Sequence, residues 1–432
     1  MPTDSLGNPV TLQHPASLAR VDDFVQGFMA CEARAVRILE AVEHDHGASV
    51  QAYAAALHMF AETPTAPASA QPYLARALAA IDVTPRERRF IAAVAAWTTG
   101  DIDTAIRLHE EQALEFPRDL VSVKLGQYHL FNRGDAPGML RLARTVQPAA
   151  ADVPYLHGML AFGWEQCHYL REAEAAARHA IALCRKEPWA HHALAHVMLT
   201  EGRLREGLDF MQGVADSWTG LNSFMVTHNW WHVALFALDL GQPDAVLRLY
   251  DQQVWGVAKD YSQDQINAVS LLARLELAGV DVGVRWQDLA EHLAPRVADQ
   301  VLAFLDLQYL YGLARAGRAE ADALHANMVA YAAVQPSWQA VALPAATGLL
   351  AHARGDYAQA AQALAAALPR LREIGGSHAQ RDLFQQLYVD ALLRSGQTVE
   401  AQQLLQQQAR LQPESARLGR QAMQAAQSLG IR

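Results

Sequence analysis

The chain has 432 residues, 51% of them hydrophobic, and carries 35 Lys and Arg against 45 Asp and Glu, for a net charge of −10. This length exceeds that of a usual compact domain, so several domains or an array of repeats is expected. A mildly acidic chain without blocks of Lys and Arg is a poor candidate for binding a phosphate backbone, which argues against a nucleic-acid partner.

Residues 1–30 have no continuous apolar core, and no stretch reaches the length of a membrane span, so neither a signal peptide nor a membrane partner is expected. The three cysteines Cys31, Cys167 and Cys184 are widely spaced and form no C-x-x-C pair, which argues against a thiolate zinc site or a disulfide framework. The expected location is the cytoplasm.

Residues 1–82 show little regularity and are predicted to form an irregular N-terminal segment with capping helices. The sequence Thr84-Pro85-Arg86-Glu87 then predicts a helix start, because it combines an N-cap threonine, a first-turn proline and a capping-box glutamate. A regular repeat array is predicted from residue 83 to residue 432.

The repeat shows in the spacing of Gly, Ala and Pro. Pro117 follows Gly100 by the same 17 positions as Pro413 follows Gly396, and the clearest unit runs over residues 348–367. Weaker copies have turn glycines at Gly134, Gly202, Gly241 and Gly317. Units of about 34 residues with helical periodicity predict an all-α, right-handed superhelical solenoid of tetratricopeptide helix–turn–helix repeats.

Two histidine pairs, His192 with His196 and His228 with His232, stand at corresponding positions of neighbouring repeats. Within each pair the spacing of four places both imidazoles on one helix face, and the two pairs are offset by 36 residues, one repeat length. The same ladder extends back to His157 and forward to Asp264, and Asp306 is the following position if that repeat carries a short insertion.

Imidazole and carboxylate are ligands of transition metals, so His192, His196, His228, His232 and Asp264 are the predicted ligands of a divalent zinc, manganese or iron ion. Such an ion can activate water, which leaves a metal-dependent hydrolase open. The alternative is that these histidines fill half-buried helix positions against tryptophans, or form a polar, aromatic-walled groove for an organic ligand.

A second dense segment spans residues 375–382. Ser377 and Gln380 predict a capping box, whereas Arg381 beside Asp382 fits either a surface ion pair or an inward clamp for an anionic group. The predicted ligand-binding set comprises the following residues: His192, His196, His228, His232, Trp231, Asp264, Asp306, Gln380, Arg381 and Asp382.

At the same segments the chain resembles the tetratricopeptide repeat protein 38 family, over roughly residues 20–420. The strings that carry the resemblance are His192 with His196, residues 207–212, 228–235 and 285–288, and residues 375–382 without His378. The resemblance implies a tetratricopeptide solenoid and supports the four paired histidines and Asp264, but it supplies no mechanism.

The chain departs from that family in two places. His157 does not belong to the family pattern, and Gln308 stands where relatives have a histidine. Glutamine is a poor metal ligand, which weakens a site that extends to this repeat.

The sequence thus leaves two functions open. One is a protein that binds a small ligand in its concave groove, with metal-assisted hydrolysis as its enzymatic form, and the other is an adaptor that holds an extended peptide or partner protein. Motifs for zincin, P-loop, α/β-hydrolase and dinucleotide-binding chemistry are absent. Histidine and tryptophan stand where peptide-binding grooves usually present Asn, Lys and Arg, which favours the small ligand. The oligomeric state is left open.

Overall fold

A computed structural model describes residues 1–431 and shows an all-α protein, as the sequence predicts. Within this range the backbone forms 22 α-helices, and the extended segments make only two isolated bridges, Thr3 with Pro9 and Glu32 with Leu221. The chain forms two compact units, the first of residues 1–193 with 216–225 and the second of residues 194–215 with 226–431. The predicted boundary at residues 82/83 stays a prediction about where the regular repeats begin.

The first unit contains nine complete helices and the starts of α10 and of α12, a helix given below with the second unit. These are α1 Leu18–Ala30, α2 Ala48–Met59, α3 Ala66–Ala79, α4 Pro85–Thr98, α5 Ile102–Glu115, α6 Leu120–Asn132, α7 Ala136–Ala150, α8 Pro154–Gln166, α9 Leu170–Leu183 and α10 Pro188–Thr200. Helix α10 passes from the first unit into the second.

The second unit contains the remaining helices. These are α11 Leu204–Val214, α12 Ser223–Asp239, α13 Pro243–Leu249, α14 Ser262–Leu277, α15 Arg285–Leu293, α16 Ala303–Arg315, α17 Glu320–Ala332, α18 Leu343–Arg354, α19 Tyr357–Ala367, α20 His378–Arg394, α21 Thr398–Leu411 and α22 Ala416–Ser428. Shorter 3₁₀ or π turns are Pro15–Ser17, Ala33–Glu40, Ala215–Trp218, Tyr250–Val254, Ala294–Arg296, Trp338–Ala342 and Leu368–Ile374.

Consecutive helices pack as antiparallel hairpins in both units. In the first unit α4 to α9 each contact the next helix, and in the second unit α14, α16, α18 and α20 also pack side by side as the first helices of successive pairs. This succession of helix pairs, each resting on its neighbour, is a helical-repeat solenoid architecture. Helix α14 additionally contacts α20.

The hairpin turns use a Gly-Asp pair that ends one helix and begins the next. Gly355 has φ of +84°, the left-handed conformation that glycine adopts without strain, and its N–H reaches the carbonyls of the last turn of α18. Asp356 then caps α19 by accepting a hydrogen bond from the N–H of Gln359. The same pair recurs at residues 100–101 and 134–135.

Both predicted capping boxes are present. The Thr84 side chain and Glu87 exchange the two expected hydrogen bonds at the start of α4, and Ser377 and Gln380 do the same at the start of α20. Two independent helix starts were therefore predicted correctly from local sequence.

None of the described helices combines the length and the apolar character that crossing a membrane requires. All three cysteines carry free thiols.

Candidate metal centre

Helices α10 and α12 each carry one of the two histidine pairs. His192 and His196 lie one turn apart on α10, and His228 and His232 lie one turn apart on α12, as the spacing of four predicts. All four side chains are buried, with at most 2% of their surface exposed. The repeat arithmetic of the sequence thus corresponds to two facing pairs of imidazoles.

Each of the four histidines offers one ring nitrogen to a common group, and these nitrogens lie within 4.8 Å of one another. In a tetrahedral zinc site with bonds of 2.0–2.1 Å, ligand nitrogens are about 3.3 Å apart. To coordinate one ion, the nitrogens that are farthest apart would have to approach one another by about 1.5 Å. The ring centroid of His232 is 4.7 Å from that of His196 and 4.9 Å from that of His228. These three imidazoles therefore lie together within the second unit.

Burial keeps the imidazoles of His228 and His232 in the neutral form that a metal needs. Removal from water lowers the pKa of His228 to about 3, with a further lowering from His196, and it lowers the pKa of His232 well below its usual range. A neutral imidazole has a lone pair available without losing a proton at pH 7.

Asn267 on α14 orients one of the four rings. Its Oδ1 lies 2.9 Å from Nδ1 of His228, and both side chains are buried. Because an amide oxygen only accepts, the hydrogen bond requires a proton on Nδ1 and leaves Nε2 as the nitrogen with a lone pair. Hydrogen bonds of this kind to the second ring nitrogen are typical of metal-binding histidines.

Trp231 and Arg274 stack in succession on the ring of His228. The indole of Trp231 lies nearly parallel to the His228 ring at 5.1 Å, and the guanidinium of Arg274 lies 5.4 Å from the indole centroid. Arg274 is itself held by the carbonyl of Ala379 at 2.7 Å and by Asp382 at 3.7 Å, both on α20. Burial lowers the pKa of Arg274 to about 10, so it stays charged at pH 7.

The two aspartates of the predicted ladder lie buried on the next first helices. Asp264 is on α14, one turn before Asn267, and it is not one of the four residues whose ligand atoms converge. Asp306 is on α16, where burial, followed by the nearby Asp299, raises its pKa well above the usual range. Asp264 stays a predicted metal ligand, and Asp306 stays a predicted ligand-binding residue.

The predicted residues of α20 lie around its N-terminus. Gln380 belongs to the capping box, and the Arg381 guanidinium donates to the carbonyls of Gly375 and Gly376 in the preceding turn. Asp382 accepts a hydrogen bond from Gln386 and pairs with Arg274. The hydrogen bonds of Arg381 to the two glycine carbonyls therefore stabilise the turn before α20. The ion pair of Asp382 with Arg274 joins α20 to α14.

His157 has a separate environment on α8. Its Nε2 lies 2.8 Å from the carbonyl of Ala151, and its ring meets that of His179 edge-on at 4.4 Å. These contacts are those of a packed helix residue.

Two residues of the site, Asn267 and Arg274, were not predicted from the sequence. Asn267 follows Asp264 by three positions and so shares its helix face, and Arg274 is the one charged residue in the apolar run from 266 to 275. Both signals were available, but neither says which neighbouring helix the side chain meets.

The comparisons with known proteins add little to this geometry. No protein-family model matches the chain. One similar solved structure, of Naa15/Naa10 bound to HypK-THB, aligns with 95% of this chain at 12% sequence identity and a TM-score of 0.27. The chain spans 66% of the length of that chain.

Proposed function

We propose that this protein binds one transition-metal ion through His192, His196, His228 and His232, within a helical-repeat fold that itself supports a binding role. The observation that carries the proposal is the convergence of four buried ring nitrogens within 4.8 Å. Four imidazole nitrogens in a small volume suit zinc best, with iron and manganese as the other candidates.

The burial of the four rings favours an ion over an organic ligand at this position. The imidazoles contact one another, Trp231 and neighbouring helices, so an organic molecule would have to displace packed side chains. An ion needs only the small space between the nitrogens. A small organic ligand or a peptide in the groove is the alternative that applies if no metal is bound.

The identity of the metal decides whether hydrolysis is open to this site. Four imidazoles fill the coordination shell of a tetrahedral zinc ion, whereas a catalytic site keeps one position free for water. Iron and manganese take more than four ligands, so four imidazoles leave coordination positions free for water. The proposal is therefore metal binding, and hydrolysis enters only with a metal of higher coordination number.

The finer assignments from the sequence are part of the same proposal. Membership in the tetratricopeptide repeat protein 38 family is supported by the strings at residues 207–212 and 228–235. A cytoplasmic location is supported by the three free thiols.

Elemental analysis of the untagged protein tests the proposal directly. We expect close to one metal ion per chain in the wild type and none in the His192→Gln/His228→Gln variant. His109→Gln/His129→Gln is the matched control, because it removes two equally buried imidazoles that stack on each other in the first unit. It should retain the metal. A wild-type chain that stays empty after incubation with Zn²⁺, Mn²⁺ or Fe²⁺ would refute the proposal.

A further inference from the structure

The segment from Gln412 to Arg417 contacts the ends of both helices that carry the histidine pairs. It comprises the turn between α21 and α22 and the first two residues of α22. We call it the 412–417 segment. Its partners are Leu199 in the last turn of α10 and Asp239 at the last position of α12. All these residues belong to the second unit.

The contact with α10 is made by Gln412. Its side-chain Nε2 donates to the carbonyl of Leu199 at 2.7 Å, three residues after His196. This carbonyl also accepts a hydrogen bond from the N–H of Gly202 at 3.2 Å, so Gln412 adds a second hydrogen bond at the end of α10. The backbones also approach closely, because a Cβ on Gly202 would lie 2.4 Å from the carbonyl oxygen of Leu411.

The contact with α12 is made by Ser415 and Arg417. Asp239 Oδ1 accepts from Oγ of Ser415 and from Nε of Arg417, each at 3.0 Å. The side chains of Arg417 and Asp239 are only 6% and 14% exposed, so this pair is little screened by water. Ser415 is also the N-cap of α22, which fixes its hydroxyl in place.

We propose that the 412–417 segment is a clamp that sets the separation of α10 and α12 and thereby controls how fast the metal leaves. The inference rests on the proposed metal site. A buried ion held by two helices is released when the two histidine pairs move apart, and the clamp ties the C-terminal ends of those helices to one rigid element. Arg417, Ser415 and Gln412 are positioning residues in this scheme, since they act through the helices and not on the ion.

Release of Co²⁺ to an excess of a chelator measures this directly, with the visible absorption of the Co²⁺-loaded protein as the signal. We expect Arg417→Met to release Co²⁺ about tenfold faster than the wild type, a size typical for residues that support metal ligands indirectly. Arg417→Lys keeps the charge opposite Asp239 and should release at close to the wild-type rate. Arg354→Met is the control, since it removes an exposed ion pair with Asp322 in the same unit.

The outcomes separate the clamp from the metal site. A wild type that binds Co²⁺ and releases it at the same rate as Arg417→Met would overturn the clamp and leave the metal site intact. A wild type that never acquires the Co²⁺ spectrum would overturn both. If Arg417→Met does not fold, Gln412→Ala decides, because it removes only the contact with α10 and must also speed release.

Discussion

Replacing Gly202 with alanine should disturb the contact between α10 and the last helices far more than the same change at another hairpin turn. Gly202 and Gly355 occupy equivalent turns with φ of +71° and +84°. Alanine in this left-handed conformation costs about 1–2 kcal/mol at either position. At Gly355 the added Cβ meets nothing within 4 Å, so the total cost should stay in that range.

At Gly202 the added Cβ would lie 2.4 Å from the carbonyl oxygen of Leu411 and 2.9 Å from the Cα of Gln412. Both are backbone atoms that cannot rotate away, so the α21 end must shift, at a further cost of about 1–3 kcal/mol. Gly202→Ala should therefore lower the free energy of unfolding by about 2–5 kcal/mol in total.

Urea unfolding of both variants, followed by circular dichroism, measures the difference. We expect the midpoint to fall clearly further for Gly202→Ala than for Gly355→Ala. If the two variants lose the same free energy of unfolding within about 0.5 kcal/mol, the last helices do not pack against the α10 turn in solution. The proposed clamp would then be refuted.

Three further predictions concern the site and its surroundings. Glu187 is fully buried at the start of α10, and burial raises its pKa to about 8. The folded state therefore holds a proton that the unfolded state loses above pH 4.5, so the stability that Glu187 contributes should decline as the pH rises from 4.5 to about 8 and level off above that, and Glu187→Gln should remove this part of the decline in urea titrations at about pH 5.5 and 8.5. Asn267→Leu should weaken metal affinity about 10–100-fold in a competition titration, whereas Asn267→Asp, which keeps an acceptor for His228, should retain it; equal affinities in both variants would contradict the orienting role. Finally, the lowered pKa values of His228 and His232 mean that the unfolded state binds protons first, so the metal-free protein should lose stability as the pH falls from 6.5 towards 3. Because these imidazoles are still neutral at pH 5 in the folded state, a melting series should show that Zn²⁺ stabilises the wild type at both pH 7 and pH 5, and the His192→Gln/His228→Gln variant should show no stabilisation at either pH.

Local sequence was sufficient to predict the elements that local interactions determine. The capping boxes at Thr84 and Ser377 and the turn at Gly355 involve residues within four positions of one another, so their geometry follows from the chain itself. The face shared by each histidine pair follows from helix periodicity for the same reason.

The parts that were not predicted depend on contacts between distant residues. The spacing of the sequence does not indicate that Arg274 contacts Ala379 or that Gln412 contacts Leu199. Repeat periodicity predicts contacts between neighbouring repeats, but it does not predict contacts between repeats that are far apart in the chain. The contact between α20 and α14, which are separated along the chain by the helices α15 to α19, is of the same kind. The concave groove that the repeats predict stays a prediction.

The contact between Gln412 and Leu199 spans 213 residues, whereas most helix pairs of the chain involve partners within one or two repeats. During synthesis the hairpins can form one after another as they leave the ribosome, since each needs only its neighbour. Helices α10 and α12 are then complete long before the segment that ties their ends has been made. In a growing chain the four imidazoles of the proposed site would stay open to exchange with the surrounding metal ions until residues 412–417 had been made and had bound the ends of α10 and α12.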